Sequence, residues 1–213
     1  MNSLRITELF YSLQGESTTV GLPTVFIRLT GCPLRCGYCD TAYAFKGGKI
    51  LSIESIVTQV KMHQCQTICV TGGEPLAQPA CMALLNNLCD EQYHVSIETS
   101  GAIDVAPIDK RVMIVMDLKT PDSGECEKNL WSNLAHLKPT DQIKFVICSR
   151  EDYIWAKQTI KERDLCNICQ ILFSPSFGVV NPTELAEWIL ADHLPVRFQL
   201  QLHKILWGDK PGH

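Results

Sequence analysis

Three cysteines lie close together in one short segment of the chain, at Cys32, Cys36 and Cys39. Thiolates at this spacing can bind three of the four irons of a 4Fe-4S cluster and leave the fourth iron open. An open iron can bind a second cofactor, whereas electron-carrying ferredoxins close the cluster with a fourth cysteine. Structural zinc sites use two paired halves, and no second half lies near this segment. The sequence therefore favours a cluster that takes part in chemistry.

The neighbours of these cysteines predict a loop. Pro33, Arg35, Gly37 and Asp40 make the segment polar and rich in turn-forming residues, and it follows the apolar run 25–29. Buried structural cysteines lie among apolar neighbours instead, because a free thiol packs as a small hydrophobe. The context thus favours metal ligands over core residues.

The remaining eight cysteines are interpreted mainly as buried thiols. Two pairs among them, Cys65 with Cys69 and Cys166 with Cys169, have a spacing that could hold a second metal. Neither pair has the glycine, proline and charged neighbours of the first loop, so an auxiliary cluster is the less favoured alternative. The eight are Cys65, Cys69, Cys81, Cys89, Cys126, Cys148, Cys166 and Cys169.

Short apolar runs alternate with helical patterns along the chain, which predicts an α/β fold with a mostly parallel sheet. We expect helices after a Ser52 cap, after Pro79, over 151–163, and from an Asn181 cap to about 192. A complete eightfold barrel needs about 250 residues and eight strands. The sequence therefore predicts one domain, 1–213, built as an open, partial β/α barrel of six to seven mostly parallel strands with few helices. The expected strands lie near 24–30, 67–71, 93–98, 112–117, 143–148, 169–173 and 196–202.

Polar, chemically capable residues follow each of six apolar runs. In parallel α/β folds the ligand lies at the carboxyl ends of the strands. We therefore expect these six segments to meet at one site. They are the cysteine loop, Thr71-Gly72-Gly73-Glu74-Pro75, Glu98-Thr99-Ser100-Gly101, Asp117-Leu118-Lys119, Ser174-Pro175-Ser176 and Gln201-Leu202-His203-Lys204.

Some residues near these strand ends could have a specific functional role, and each could also have a purely structural role. The doublet Gly72-Gly73 allows close backbone approach to a ligand, or simply a tight turn. Asp117 and Lys119 share one side of an extended strand and could also form a surface salt bridge. Arg28 interrupts an apolar run, and a charge there must be paired or face a cavity. We predict that Arg28 clamps a substrate carboxylate, the alternative being an edge-strand arginine.

Composition excludes several classes of protein. The 213 residues carry a formal charge of −4, so nothing indicates binding to nucleic acid or to an anionic membrane surface. No segment approaches the roughly 20 apolar residues of a membrane span, and the first 16 residues lack a signal-peptide pattern. We expect a cytoplasmic protein with reduced cysteines.

The motifs together resemble two nested families. The three-cysteine loop followed by Gly72-Gly73-Glu74-Pro75 resembles the radical S-adenosylmethionine superfamily. Over about residues 7–207 the chain further resembles the 7-carboxy-7-deazaguanine synthase family. That closer resemblance rests on Leu13-Gln14-Gly15-Glu16, Phe26-Ile27-Arg28-Leu29, Gly31-Cys32-Pro33, Cys39-Asp40-Thr41, Glu98-Thr99-Ser100-Gly101 and Leu202-His203-Lys204.

The resemblance implies a reaction and its cofactors. The family converts 6-carboxy-5,6,7,8-tetrahydropterin into 7-carboxy-7-deazaguanine with loss of ammonia, in the biosynthesis of queuosine precursors. It uses a 4Fe-4S cluster, S-adenosylmethionine and Mg²⁺, and regenerates the S-adenosylmethionine. The resemblance also implies a homodimer and an external electron donor such as flavodoxin.

Carried over position by position, the resemblance implies three groups of site residues. Cys32, Cys36 and Cys39 would ligate the cluster, and Thr41 would ligate Mg²⁺. The residues that would contact S-adenosylmethionine are Tyr38, Cys39, Asp40, Gly73, Glu74, Asp117, Leu118, Lys119 and Ser174. The residues that would bind the substrate are Leu13, Gln14, Gly15, Glu16, Arg28, Thr71 and the C-terminal His213.

One departure from the family pattern affects the substrate loop. The expected glycine after Glu16 is Ser17 here, so the backbone freedom of that glycine is lost and the loop is expected to sit differently.

Two alternative functions remain open at this point. A glycyl-radical activase would share the cysteine loop but act on a protein. A non-catalytic iron-sulfur electron carrier would need a fourth cysteine ligand, from the Cys65 or the Cys166 group.

Overall fold

The computed structural model describes residues 2–208, 210 and 212, and it contains one large sheet flanked by short helices. The strands are β1 Ser3–Leu13, β2 Pro23–Leu29, β3 Lys49–Ser52, β4 Thr67–Gly72, β5 His94–Thr99, β6 Met113–Asp117, β7 Gln142–Ile147, β8 Gln170–Pro175 and β9 Arg197–Phe198. The helices are α1 Ile53–Met62, α2 Cys81–Asp90, α3 Arg150–Glu162, α4 Pro182–Ala191 and α5 Leu202–Trp207.

The sheet confirms the prediction of an open, mostly parallel architecture. Its strand order in the described chain is β3-β1-β2-β4-β5-β6-β7-β8-β9. From β2 to β9 every neighbouring pair is parallel. The two outermost strands, β3 and β9, do not pair with each other, so the barrel stays open. All seven predicted strands have counterparts in this parallel part.

Two antiparallel strands at one edge of the sheet were not predicted. β1 pairs with β2 and β3, and its register with β2 shifts between Ile6 and Glu8. This irregularity breaks the alternation of buried residues that begins with Leu4 and Ile6. β3 has only four residues, most of them exposed. Neither strand therefore has the regular apolar pattern that identifies a strand in a sequence.

The last predicted strand is much shorter than expected. Only Arg197 and Phe198 pair with β8, and the chain then turns into α5. Of the predicted caps, Ser52 accepts a hydrogen bond from the Ser55 amide and Asn181 accepts one from the Thr183 amide. No helix in the described residues is long and apolar enough to cross a membrane.

Ser17 adopts the left-handed backbone conformation that a glycine would favour, with φ of 68°. Serine therefore adopts a conformation here that glycine would adopt at lower cost. The residue is fully buried. Its amide donates to Gln199 Oε1 at 2.6 Å, while Gln199 Nε2 donates to its carbonyl at 2.8 Å. This pair of hydrogen bonds ties the loop after β1 to the chain after β9 and offsets the conformational strain.

We expect Ser17→Val to destabilise the protein and Ser17→Gly to be nearly neutral. A β-branched residue in this conformation adds strain of about 2 kcal/mol or more, whereas glycine removes strain but also loses the bond between the Ser17 and Thr19 hydroxyls. The free energy of unfolding from urea titration measures both effects. Equal stability of Ser17→Val and the parent protein would contradict this interpretation of the loop.

Candidate active site

A cavity of about 420 Å³ lies at the carboxyl ends of the strands. It brings together all six of the predicted segments, because each contributes at least one lining residue. Most of the predicted site residues line it directly: Leu13, Gln14, Gly15, Glu16, Arg28, Cys32, Cys36, Tyr38, Cys39, Asp40, Thr41, Thr71, Gly73, Asp117 and Lys119. Predicted residues behind its wall are Glu74, Leu118 and Ser174, which are all buried. His213 lies outside the described residues.

The three cysteines of the loop are partly buried and line this cavity. The Leu34 amide donates to Cys32 Sγ at 3.4 Å, and Cys39 Sγ lies 3.8 Å from Thr41 Oγ1. Burial raises the pKa of the Cys32 and Cys36 thiols, which the nearby Lys119 ammonium partly opposes. Positive charge from a bound cluster is therefore needed to hold them as thiolates at neutral pH.

Gly73 packs the turn after β4 directly against the cysteine loop. A methyl group at Gly73 would lie 2.3 Å from the Gly31 carbonyl oxygen and 2.7 Å from Cys32 Cβ. The following amide, of Glu74, donates to that same Gly31 carbonyl at 2.9 Å. Only a residue without a side chain allows this approach, so Gly73 fixes the position of Cys32.

The side chain of Glu74 differs from the prediction. It is fully buried and forms no part of the cavity lining. Its carboxylate accepts hydrogen bonds from the Leu76 amide at 2.9 Å, from the Thr99 hydroxyl at 3.0 Å, and from the Ser100 amide at 2.7 Å and hydroxyl. The hydroxyls of Thr99 and Ser100 thus both donate to the Glu74 carboxylate. Glu74 joins the ends of β4 and β5 instead of facing a ligand.

Asp117 and Lys119 form an ion pair in the cavity wall, and this pair is not on the surface. Lys119 Nζ lies 3.2 Å from Asp117 Oδ2 and donates to the Tyr38 hydroxyl at 3.4 Å. Burial and the Asp117 carboxylate raise the pKa of Tyr38, so its hydroxyl stays protonated. These contacts link the end of β6 to the cysteine loop.

A second polar group surrounds Glu98, the carboxylate near the end of β5. Its two carboxylate oxygens accept from Gln14 Nε2 at 3.5 Å and from the Thr71 hydroxyl at 3.0 Å. Gln14 Oε1 in turn accepts from the Glu16 amide at 3.2 Å. The predicted substrate residues Gln14 and Thr71 are therefore oriented by Glu98.

Arg28 lines the cavity as predicted, but it is not entirely free. Its Nε donates to Glu8 Oε1 at 2.7 Å, and the Tyr43 hydroxyl donates to the same oxygen at 2.8 Å. Among the described residues, no acceptor forms a hydrogen bond with the two terminal nitrogens of Arg28. The side chain is only 14% exposed. Arg28 is thus held on one edge by Glu8 and presents its other donors to the cavity, as a carboxylate clamp requires.

The segment after β9 covers the loop after β1. The Leu202 amide donates to the Gly15 carbonyl at 3.0 Å, and Gln201 Nε2 donates to Glu16 Oε1 at 2.8 Å. A methyl group at Gly15 would lie 2.1 Å from His203 Nδ1, so the imidazole packs on this glycine. Lys204 Nζ lies 3.6 Å from Asp40 Oδ2. These contacts join both ends of the open sheet across the cavity.

The second cysteine pair does not contribute a fourth ligand in this arrangement. Cys166 and Cys169 line a separate cavity, together with Pro139 and Pro195. Cys65 is buried and donates to the Pro23 carbonyl at 3.2 Å. The four-ligand electron carrier therefore has no support among the described residues.

The residues of the main cavity fit a three-cysteine cluster with a second cofactor. In a 4Fe-4S cluster each thiolate binds a different iron, so three sulfurs along one wall suit it better than a single ion. The described residues contain no group of three His, Cys, Asp or Glu side chains that could hold a single metal ion. Asp117 Oδ1 is buried and has no hydrogen-bond partner there. It is an acceptor placed for a ligand donor.

We expect Gly73→Ala to reduce the rate of product formation by about 10²-fold, because displacement of the cysteine loop misplaces the reacting groups. Gly37→Ala is the matched control in the same loop, since its added methyl group would lie 3.7 Å from the nearest atom, an ordinary contact. Initial rates normalised to iron content separate misplacement from loss of the cluster. Similar rates for the two variants would contradict the packing argument.

Comparisons with known proteins agree with this geometry. A model of the radical SAM superfamily matches residues 26–123. A 7-carboxy-7-deazaguanine synthase of Chlorobaculum tepidum is 45% identical over 208 residues, which cover 96% of this chain and 94% of that protein. One from Koribacter versatilis is 40% identical over 219 residues, covering 96% and 97%. The fold is similar to the crystal structure of QueE from Escherichia coli, with a TM-score of 0.78 and 22% identity over 94% and 95% of the two chains.

The similarity to the two sequence relatives extends over nearly the full length of each, and it includes both the cysteine loop and the opposite side of the cavity. The likeness to the Escherichia coli protein, at lower identity, supports the same fold. The chain therefore belongs to the 7-carboxy-7-deazaguanine synthase family, whose members are radical S-adenosylmethionine enzymes with a 4Fe-4S cluster.

Proposed function

We propose that this chain converts 6-carboxy-5,6,7,8-tetrahydropterin into 7-carboxy-7-deazaguanine and ammonia, a step in the biosynthesis of queuosine precursors. The observation that carries the proposal is that three cysteine thiols line the same cavity as Arg28, whose Nε alone is taken by Glu8 among the described residues. A radical generated beside the thiols can then act on a carboxylated substrate held in the same cavity. The names of the full-length relatives support the same reaction.

On the cofactor side, we propose that Cys32, Cys36 and Cys39 bind the cluster. When bound, the cluster and S-adenosylmethionine supply an organic radical that removes a hydrogen atom from the substrate. Tyr38, Asp40, Gly73, Asp117 and Lys119 line the cavity beside the thiols and would contact S-adenosylmethionine. Glu74, Leu118 and Ser174 are buried behind the wall, so we infer that they shape this site from outside.

On the substrate side, Arg28 would bind the 6-carboxylate through its terminal nitrogens while Glu8 holds its Nε. Gln14 and Thr71, oriented by Glu98, and the loop residues Leu13, Gly15 and Glu16 would bind the pterin ring. Phe10 and Phe26 stack at 5.0 Å between ring centroids and give this end an apolar wall. A planar, polar-edged ring fits such a mixture of surfaces.

Mg²⁺ at Thr41 belongs to the same proposal. Thr41 lines the cavity next to Cys39 and offers one hydroxyl oxygen. Because Mg²⁺ prefers six oxygen ligands, the substrate and water would have to supply the others. We further infer a homodimer that works in the cytoplasm with an external electron donor such as flavodoxin. From the family resemblance we also infer that His213 binds the substrate.

The glycyl-radical activase is the less favoured function. It would leave the carboxylate-binding edge of Arg28 and the polar group around Glu98 without a use, because its substrate is a protein backbone. An electron carrier without catalysis would leave the whole substrate half of the cavity unused.

A panel of pterins tests the proposed substrate. Cluster-loaded protein with reductant, S-adenosylmethionine and Mg²⁺ is offered 6-carboxytetrahydropterin or tetrahydropterin without the carboxylate, and products are identified by mass spectrometry. We expect a deazaguanine product from the carboxylated pterin alone. Equal turnover of both pterins, or of neither, would contradict the proposal.

A further inference from the structure

Lys144 is a largely buried cation in the cavity wall that the family resemblance does not assign to the site. It lies on β7 between Ile143 and Phe145, whose side chains pack in the core. Because successive residues of a strand face opposite sides of the sheet, Lys144 faces the cavity and lines it. Its side chain is 12% exposed. A buried cation in this position needs anionic partners.

Two carboxylates from different segments of the cavity wall share this ammonium group. Lys144 Nζ lies 2.6 Å from Glu16 Oε2 and 3.5 Å from Asp117 Oδ2. Asp117 also pairs with Lys119, so the four charges alternate in sign from the loop after β1 to the end of β6. Lys144 is the link in this row that joins Glu16 to Asp117.

The protonation states make this link permanent at neutral pH. Burial alone would lower the pKa of Lys144, but Glu16 and Asp117 outweigh it and raise the pKa above its usual value. Burial would likewise raise the pKa of Glu16, but Lys144 outweighs it, and the pKa falls to about 2. Both groups stay charged, so Lys144 is poorly suited to act as a proton donor.

We propose that Lys144 is a positioning residue that holds Glu16 on the substrate side and Asp117 on the cofactor side, so that both ligands meet a preorganised cavity. The substrate half of this inference rests on the proposed function. The cofactor half rests on the contact between Lys144 and Asp117 and on the unpaired Asp117 Oδ1. Without Lys144, Glu16 and Asp117 would face each other as like charges in the cavity wall and repel each other.

The test compares the wild type with Lys144→Met, Lys144→Arg and Lys157→Met. Lys157 pairs with Asp192 at 2.7 Å, is half exposed, and lies outside the cavity lining, so it controls for the loss of an ordinary ion pair. The dissociation constants of S-adenosylmethionine and 6-carboxytetrahydropterin are measured separately, by equilibrium dialysis of cluster-loaded protein. We expect Lys144→Met to weaken each by about tenfold or more, Lys144→Arg to restore most of the affinity, and Lys157→Met to change neither.

A double variant keeps the test decisive if Lys144→Met folds poorly. Glu16→Gln with Lys144→Met removes both charges of the closest pair, and melting temperature and iron content report its folding. We expect it to bind substrate as weakly as Glu16→Gln alone, because Lys144 acts on the substrate through Glu16. A further tenfold loss of substrate affinity in the double variant would overturn the inference.

The S-adenosylmethionine measurement separates this inference from the proposed substrate. If the wild type does not bind 6-carboxytetrahydropterin, the proposed function fails. The cofactor arm still decides the role of Lys144. Unchanged S-adenosylmethionine affinity in folded Lys144→Met, or an equal loss in Lys157→Met, would overturn the positioning role.

Discussion

Replacing any one of Cys32, Cys36 and Cys39 with serine is expected to remove most of the bound iron and to abolish product formation. Three thiolates are the smallest set that holds a 4Fe-4S cluster, and the described part of the cavity wall offers no fourth cysteine in their place. A serine hydroxyl stays protonated at neutral pH and is a much poorer ligand for iron. Anaerobic reconstitution followed by iron and sulfide analysis gives the direct measurement.

Cysteines outside the loop provide the matched control for this prediction. Cys166→Ser and Cys169→Ser alter residues of the separate second cavity and should leave the iron content and the rate unchanged. Loss of the cluster in either variant would support a fourth cysteine ligand and restore the electron-carrier alternative. Full iron content in Cys36→Ser would contradict the assignment of the loop.

Replacing Arg28 with lysine is expected to raise the KM for 6-carboxytetrahydropterin by about 10- to 150-fold, the range expected for lost hydrogen bonds between charged groups. One ammonium group cannot pair with Glu8 and also offer two parallel donors to a carboxylate, as the guanidinium can. The fold should survive, because lysine keeps the charge opposite Glu8. Steady-state kinetics with varied pterin measure the effect.

The same variant offers an internal control through its ligands. Affinity for tetrahydropterin, which lacks the carboxylate, should be nearly equal in Arg28→Lys and the wild type, and S-adenosylmethionine affinity should not change. An equal loss of affinity for both pterins would mean that Arg28 shapes the cavity without binding the carboxylate.

A sequence reveals those parts of the site at which the local pattern of apolar and polar residues changes. Most parallel strands end where an apolar run gives way to polar or turn-forming residues, as at Thr71-Gly72-Gly73-Glu74-Pro75, and these ends could be located without the structure. The direction of a side chain at such an end depends on its neighbours in space. Glu74 faces Thr99 and Ser100 from the next strand, and nothing in its own segment indicates this.

Two other features were missed for different reasons. The edge strands β1 and β3 lack a regular pattern, because one is irregular beside Ile6 and the other is short and exposed. Lys144, in contrast, carried a readable signal. It is a single charge inside the apolar run of β7, and the same pattern in β2 predicted that Arg28 faces the cavity.

We propose that one cavity couples the cluster loop to a carboxylated pterin and regenerates its S-adenosylmethionine. The most direct test is a single anaerobic incubation of reconstituted protein with reductant, S-adenosylmethionine, Mg²⁺ and 6-carboxytetrahydropterin, in which product and 5′-deoxyadenosine are both quantified by mass spectrometry. We expect 7-carboxy-7-deazaguanine in clear excess over 5′-deoxyadenosine. Accumulation of 5′-deoxyadenosine without the deazaguanine would contradict the claim and would favour the activase.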